Sequence, residues 1–180
     1  MSRKVKSDEE KRAALIIKYR NLKITSKEAE DQQITYHLSR GDETYIMQIL
    51  LDQKTIGIAF VRELRDIVEE AEATKGILVG SGKYTYSAKA NAPKLKVELI
   101  PPSLPTFDLF EHNYVSPAEL VSEEGKQALL EKYHCELYQF PWIKAKDPVS
   151  IILGAEPGEV IKITLESQTA GLSVSYRYVV

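Results

Sequence analysis

The run Pro101-Pro102-Ser103-Leu104-Pro105 restricts the folding of this chain more than any other segment. Its prolines fix φ and remove backbone donors, so neither a helix nor a central strand can pass through it. It separates a longer first part from a shorter second part within 180 residues. A domain boundary is therefore expected between Pro101 and Ser116, giving domains 1–110 and 111–180. Hydrophobic residues make up 43%, enough for a core on each side of it.

The hydrophobic period changes several times before the break. Ser7-Asp8-Glu9-Glu10 carries a capping box and acids at the positive end of a helix expected to reach about Asn21. Thr25-Ser26-Lys27-Glu28 repeats that pattern and predicts a short second helix. Ile34, Tyr36 and Leu38 alternate as a half-buried strand does, and Arg40-Gly41-Asp42 turns the chain into a second strand over Glu43 to Leu51. Phe60, Leu64, Ile67 and Ala71 recur with helical spacing, with Lys75-Gly76 as the expected stop. Ile77-Leu78-Val79 predicts a buried strand in the same sheet. Lys83 to Asn91 is polar and aromatic, and is expected to be a loop.

Beyond the break, Ser122 is placed to cap a helix carrying Leu129, Leu130 and Tyr133. Phe140-Pro141-Trp142-Ile143 is extended. Asp147-Pro148 starts a helix that Gly154 stops, and Pro157-Gly158 turns. Val160 to Leu165 and Ser173 to Val180 then read as two strands. The class is α+β, with a mixed α/β first domain and a small α+β second domain.

Few residue types here suit catalysis. The lone Cys135 leaves no intrachain disulfide and no paired-cysteine zinc site. His37, His112 and His134 have no metal-ligand spacing, and Gly80-Ser81-Gly82-Lys83 lacks the length of a phosphate loop. Asp42 or Glu43, followed by Asp52 and Lys54, imitates the carboxylates and lysine of a metal-dependent nuclease, the alternative reading. No apolar run approaches the roughly 20 residues of a membrane span, and Met1 to Arg12 lacks the apolar stretch of a signal peptide. A soluble intracellular protein without cofactor, metal or membrane partner is expected.

The formal net charge of −2 excludes a strongly basic, free-standing nucleic-acid binder. It divides into +1 over residues 1–117 and −3 over residues 118–180. Lys83, Lys89, Lys94 and Lys96 lie among Tyr84 and Tyr86 with no acid between them, a pattern in which lysines meet phosphates and tyrosines pack on sugar or base.

The last 65 or so residues carry a string of motifs: Phe140-Pro141-Trp142-Ile143, Asp147-Pro148-Val149, Leu153-Gly154, Pro157-Gly158-Glu159-Val160-Ile161-Lys162-Ile163, Ser167-Gln168-Thr169-Ala170-Gly171 and Ser175-Tyr176-Arg177. In order and spacing they resemble the small subunit shared by nuclear RNA polymerases I, II and III, whose C-terminal domain is similar to a small archaeal polymerase subunit. Lys75 to Val79 and Thr85-Tyr86-Ser87-Ala88 look like a strand and turn of that family's N-terminal domain.

The resemblance implies a non-catalytic subunit of a DNA-directed RNA polymerase in the nucleus, or in the cytoplasm for a cytoplasmic virus or a nucleus-independent polymerase. Its C-terminal assembly domain would dock on the largest subunit. Its nuclease-like N-terminal domain would form the lower jaw beside downstream DNA. Lys83, Tyr84, Thr85, Tyr86, Ser87 and Lys89 would face DNA. Pro141, Asp147, Pro148, Gly154, Gly158, Lys162, Thr169, Gly171, Tyr176 and Arg177 would form scaffold or subunit interface. The chain departs from the family at Tyr86, Trp142, Glu156, Leu165, Gln168 and Leu172, which implies a shared fold with a re-tuned partner surface. The polymerase class is left open.

Overall fold

A computed structural model describes residues 7–30, 32–112, 114–167 and 171–180. The chain divides into two compact units, Met1–Phe107 and Asp108–Val180.

The first unit opens with α1 (Asp8–Tyr19), whose capping box closes in both directions: Glu10 N–H to Ser7 Oγ at 3.3 Å and Ser7 N–H to a Glu10 carboxylate oxygen at 2.9 Å. Next come β1 (Lys23–Ala29), β2 (Gln33–Arg40), β3 (Glu43–Leu50) and the short β4 (Thr55–Ile56). They are followed by α2 (Ile58–Glu70), β5 (Lys75–Gly80), β6 (Lys83–Tyr84), α3 (Tyr86–Asn91) and β7 (Val97–Ile100). Among the described residues the main sheet has the order β1-β2-β3-β5-β7. β1, β2 and β3 are antiparallel neighbours, whereas β5 is parallel to both β3 and β7. Two helical segments, α2 and α3, supply the crossovers that parallel strands require.

Side-chain alternation gives the sheet two apolar faces. Ile46, Leu50 and Leu78 pack with Val61, Leu64 and Val68 of α2. The intervening Met47, Ile49, Ile77 and Val79 are fully buried on the other face. The buried stripe of α2 runs through Val61, Leu64 and Val68, with Phe60 and Ile67 at its margins.

Three sequence expectations are corrected. Thr25 to Glu28 lie in β1, not a helix, because pairing with β2 satisfies backbone groups that a local capping box would not. Lys75-Gly76 does not end α2. The helix ends at Glu70, Glu72 makes the reversal at φ 49°, and Gly76 lies within β5. A Cβ at Gly76 would meet Leu64 Cγ at 3.0 Å and Val68 Cγ2 at 3.1 Å, so the glycine permits the close seat of α2. Lys83 to Asn91 is ordered as β6 and α3, with the Thr85 hydroxyl accepting from Ala88 N–H at 3.3 Å.

The second unit contains β8 (Ala118–Leu120), α4 (Glu123–Tyr133), β9 (Trp142–Ile143), α5 (Pro148–Leu153), β10 (Val160–Ser167) and β11 (Gly171–Val179). Its sheet order is β8-β10-β11-β9. Leu129, Ile152, Leu153, Ala155, Val160, Ile161 and Val179 are its buried apolar residues among those described. Asp147 accepts from Val149 N–H at 2.9 Å, Pro148 is the first helical residue, and Gly154 takes the left-handed conformation at φ 74°. The helix and the turn lie where the sequence places them, and β10 pairs antiparallel with β11, which begins at Gly171 rather than Ser173; residues 168–170 lie outside the described residues.

Candidate nucleic-acid and subunit interfaces

In the first unit, the residues named for DNA separate into two groups. Lys83, Tyr86, Ser87 and Lys89 are exposed, Tyr86 to 88%. Thr85 is half-buried and caps α3. Tyr84 faces inward, a correction to the DNA-facing set. It is buried, and its hydroxyl lies 3.0 Å from the Leu78 carbonyl and 2.9 Å from the Ile100 carbonyl, donating to one at a time. Burial pushes its phenol well above the ordinary value. Alternation along a two-residue strand explains the split: Lys83 points out, so Tyr84 must point in.

The four lysines do not form one loop. Lys96 accepts from Gly76 N–H through its carbonyl at 3.0 Å, at the start of β5, whereas Lys83 follows the end of that strand. From Gly76 to the strand end at Gly80 is about 13 Å at roughly 3.3 Å per residue, so the two lysines attach at opposite ends of β5. Lys54, read from sequence as part of a nuclease set, instead lies beside Lys83: its carbonyl accepts from Lys83 N–H at 3.1 Å. Sequence reading missed this neighbour because β4 and β6 are too short to leave a periodic signal.

The nuclease set is not brought together. Glu43 opens β3 and Asp52 follows its end, so about nine residues at roughly 3.3 Å each separate them. Asp42 precedes Glu43 in the turn and sits at the same far end. Glu43 is engaged locally: it accepts from the Tyr45 hydroxyl at 2.6 Å and from Arg40 Nη2 at 2.7 Å, which together hold its carboxyl below the usual range. Burial and the Glu43 carboxylate push the Tyr45 phenol up to about 12. On β3 itself, the position between Ile46 and Leu50 is Gln48, which is buried and donates to Gln33 Oε1 at 3.0 Å. Among the described residues no group of three or more His, Cys, Asp or Glu is arranged to hold a metal.

In the second unit, the described residues among those named lie at strand pairings, turns and helix ends, and several large apolar side chains nearby are exposed. Lys162 pairs across strands with Glu119 at 2.7 Å, which raises the lysine's pKa. Gly158 and Gly171 have φ of 98° and 69°, and Gly158 N–H bonds the Val179 carbonyl. Pro141 is exposed and its carbonyl accepts from Tyr178 N–H at 2.9 Å. Tyr176 packs with Tyr133 and Phe140 at ring distances of 6.2 and 5.9 Å. Arg177 is half-exposed opposite Ile161. Thr169 and Gln168 lie outside the described residues. Trp142, 66% exposed, donates through Nε1 to the Tyr138 carbonyl. Leu172 is 75% and Leu165 40% exposed, and Glu156 is exposed on its turn. Among the described residues, the positions that depart from the family pattern thus all lie on the surface, Tyr86 included.

Residues 107–179 match the family model for the C-terminal domain of RNA polymerase Rpb5, and residues 11–102 match that of a restriction endonuclease family. The DNA-directed RNA polymerase subunit Rpo5 of Thermococcus onnurineus is 47% identical over 74 residues, which cover 90% of that protein and 41% of this chain. The chain belongs to the Rpb5 family of RNA polymerase subunits, with a first unit of the restriction-endonuclease family.

Further Rpb5-family relatives are likewise archaeal proteins named Rpo5. That of Pyrococcus abyssi is 49% identical over 74 residues, covering 90% of the relative and 41% of this chain. That of Nitrosopumilus maritimus is 43% identical over 70 residues, covering 84% of the relative and 39% of this chain. Their matched lengths of 74 and 70 residues are close to the 73 residues, 107–179, that the Rpb5 family model matches. The Rpb5-family part therefore coincides with the unit whose turns and caps were legible as motifs.

Proposed function

We propose that the protein is a structural, non-catalytic subunit of a multi-subunit DNA-directed RNA polymerase, in the nucleus where the cell has one. Its second unit anchors on the largest subunit, and its first unit borders downstream DNA as part of the jaw. The observation that carries the reading is the near-full-length match of the second unit to polymerase subunits. Retained backbone-setting residues beneath a surface of exposed Trp142, Leu165 and Leu172 support a protein partner for that unit. Exposed Lys83, Tyr86 and Lys89 on an endonuclease-type fold support DNA as the neighbour of the first unit.

Replacing Lys83 and Lys89 with alanine in the assembled polymerase tests the DNA part. Weaker downstream-DNA retention at raised salt, with unchanged subunit composition, is expected. Unchanged retention would reject it.

The match to a restriction endonuclease family also favours a second reading, metal-dependent DNA cleavage. Separation of Glu43 from Asp52 opposes the residue set that the sequence suggests for it. Mg²⁺-dependent cleavage by the purified chain, abolished by Asp52→Ala, would establish that reading against the first.

A further inference from the structure

β4 and β6 are two residues each, yet they pair in parallel, Thr55 with Lys83 and Ile56 with Tyr84. The inward residues, Ile56 and Tyr84, are buried and pin this ribbon to the body of the unit. Backbone bonds close it at both ends: Lys83 N–H to the Lys54 carbonyl at 3.1 Å and Thr85 N–H to the Ile56 carbonyl at 3.0 Å. Gly82 makes the crossing possible. A Cβ there would lie 2.9 Å from the Lys54 carbonyl carbon and closer still to the Gln53 carbonyl oxygen.

The ribbon therefore fixes the backbones of Lys54 and Lys83 next to each other, close to Tyr86, the more exposed of the two tyrosines in this segment. Both lysines are exposed, and among the described residues neither is paired with a carboxylate, Asp52 included. Their backbones are adjacent and neither ammonium has a carboxylate partner among the described residues, so an anion that reaches this corner is attracted by both charges.

We infer that Lys54 is a second phosphate contact beside Lys83, so that the β4–β6 corner engages neighbouring phosphates of a nucleic-acid backbone. The inference rests on the reading that the first unit borders downstream DNA. It adds a residue remote in sequence from the segment that suggested that reading. The contact is to backbone, so it contributes affinity and position without sequence preference.

The test is equilibrium binding of labelled downstream duplex to the purified polymerase containing the full-length chain, measured over a range of salt. Each lost phosphate contact lowers the slope of log K against log salt by about 1. Lys54→Ala is expected to do so, with equal weakening on duplexes of unrelated sequence, and Lys54→Arg to restore it. Lys23→Ala, an exposed charge on β1, controls for net charge and is expected to leave the slope unchanged. If Lys54→Ala leaves the slope unchanged while Lys83→Ala with Lys89→Ala lowers it, the inference is overturned and the jaw reading stands. If neither lowers it, both are overturned.

Discussion

Arg20 and Glu98 form a two-pronged pair inside the first unit, with Nη1 to Oε2 at 2.8 Å and Nη2 to Oε1 at 2.6 Å. Arg20 ends α1 and Glu98 lies in β7, so the pair ties the first helix to the last strand of the sheet. Lys75 of β5 adds a third charge at 3.4 Å. Burial alone would raise the Glu98 carboxyl, but the two cations outweigh it and hold it below 4.5. Because its folded pKa is depressed, the folded state binds fewer protons than the unfolded state. The stabilisation is therefore present above pH 4.5 and is lost as pH falls through the folded value.

Arg20→Ala strands this carboxylate with Lys75 alone. Full burial would make that cost about 3–5 kcal/mol. The partial exposure of Glu98 and the remaining lysine reduce the expectation to roughly 2 kcal/mol. Chemical denaturation checks the loss. In Glu98→Gln the acid limb of the pH–stability curve should flatten, and an unaltered limb would show that another carboxylate governs it.

Tyr84→Phe should destabilise the first unit by about 1 kcal/mol, because it removes a buried hydroxyl that donates to the Leu78 or the Ile100 carbonyl. DNA retention should not change. Tyr86→Ala should show the reverse pattern, since its ring is in solvent. A melting temperature for Tyr84→Phe equal to that of the parent would contradict the inward placement.

These two tyrosines also mark how far the sequence could be read. Asp147, Pro148 and Gly154 were legible because cap, first-turn proline and left-handed stop each act through local backbone geometry. The helical stripe of α2 was legible for the same reason, although its centre falls on Val61, Leu64 and Val68. Tyr84 was not, because a two-residue strand has no period and its direction is set by pairing with Ile56. Nor was the place of Gly76, which depends on how closely α2 seats on β5. Of the candidate DNA surface, Lys83, Tyr86 and Lys89 were found from composition. Lys54 required the fold, since 29 positions separate it from Lys83.

Gly171→Val tests the hairpin of the second unit. The residue sits at φ 69°, where a β-branched side chain is strained, and no atom lies within 4 Å of its Cβ position. The penalty is therefore conformational, roughly 1 kcal/mol or more. Asp147→Ala, which removes the Val149 cap, should cost about 1 kcal/mol in the same unit. Thermal unfolding of each variant is the check, and a Gly171→Val protein as stable as the parent would remove the hairpin argument.

The central claim is membership of a polymerase assembly through the second unit. Affinity purification of the tagged full-length chain from its own cells, with subunits quantified by mass spectrometry, measures this directly. The account predicts recovery of the large polymerase subunits at one copy each per tagged chain. A chain recovered without them would contradict it.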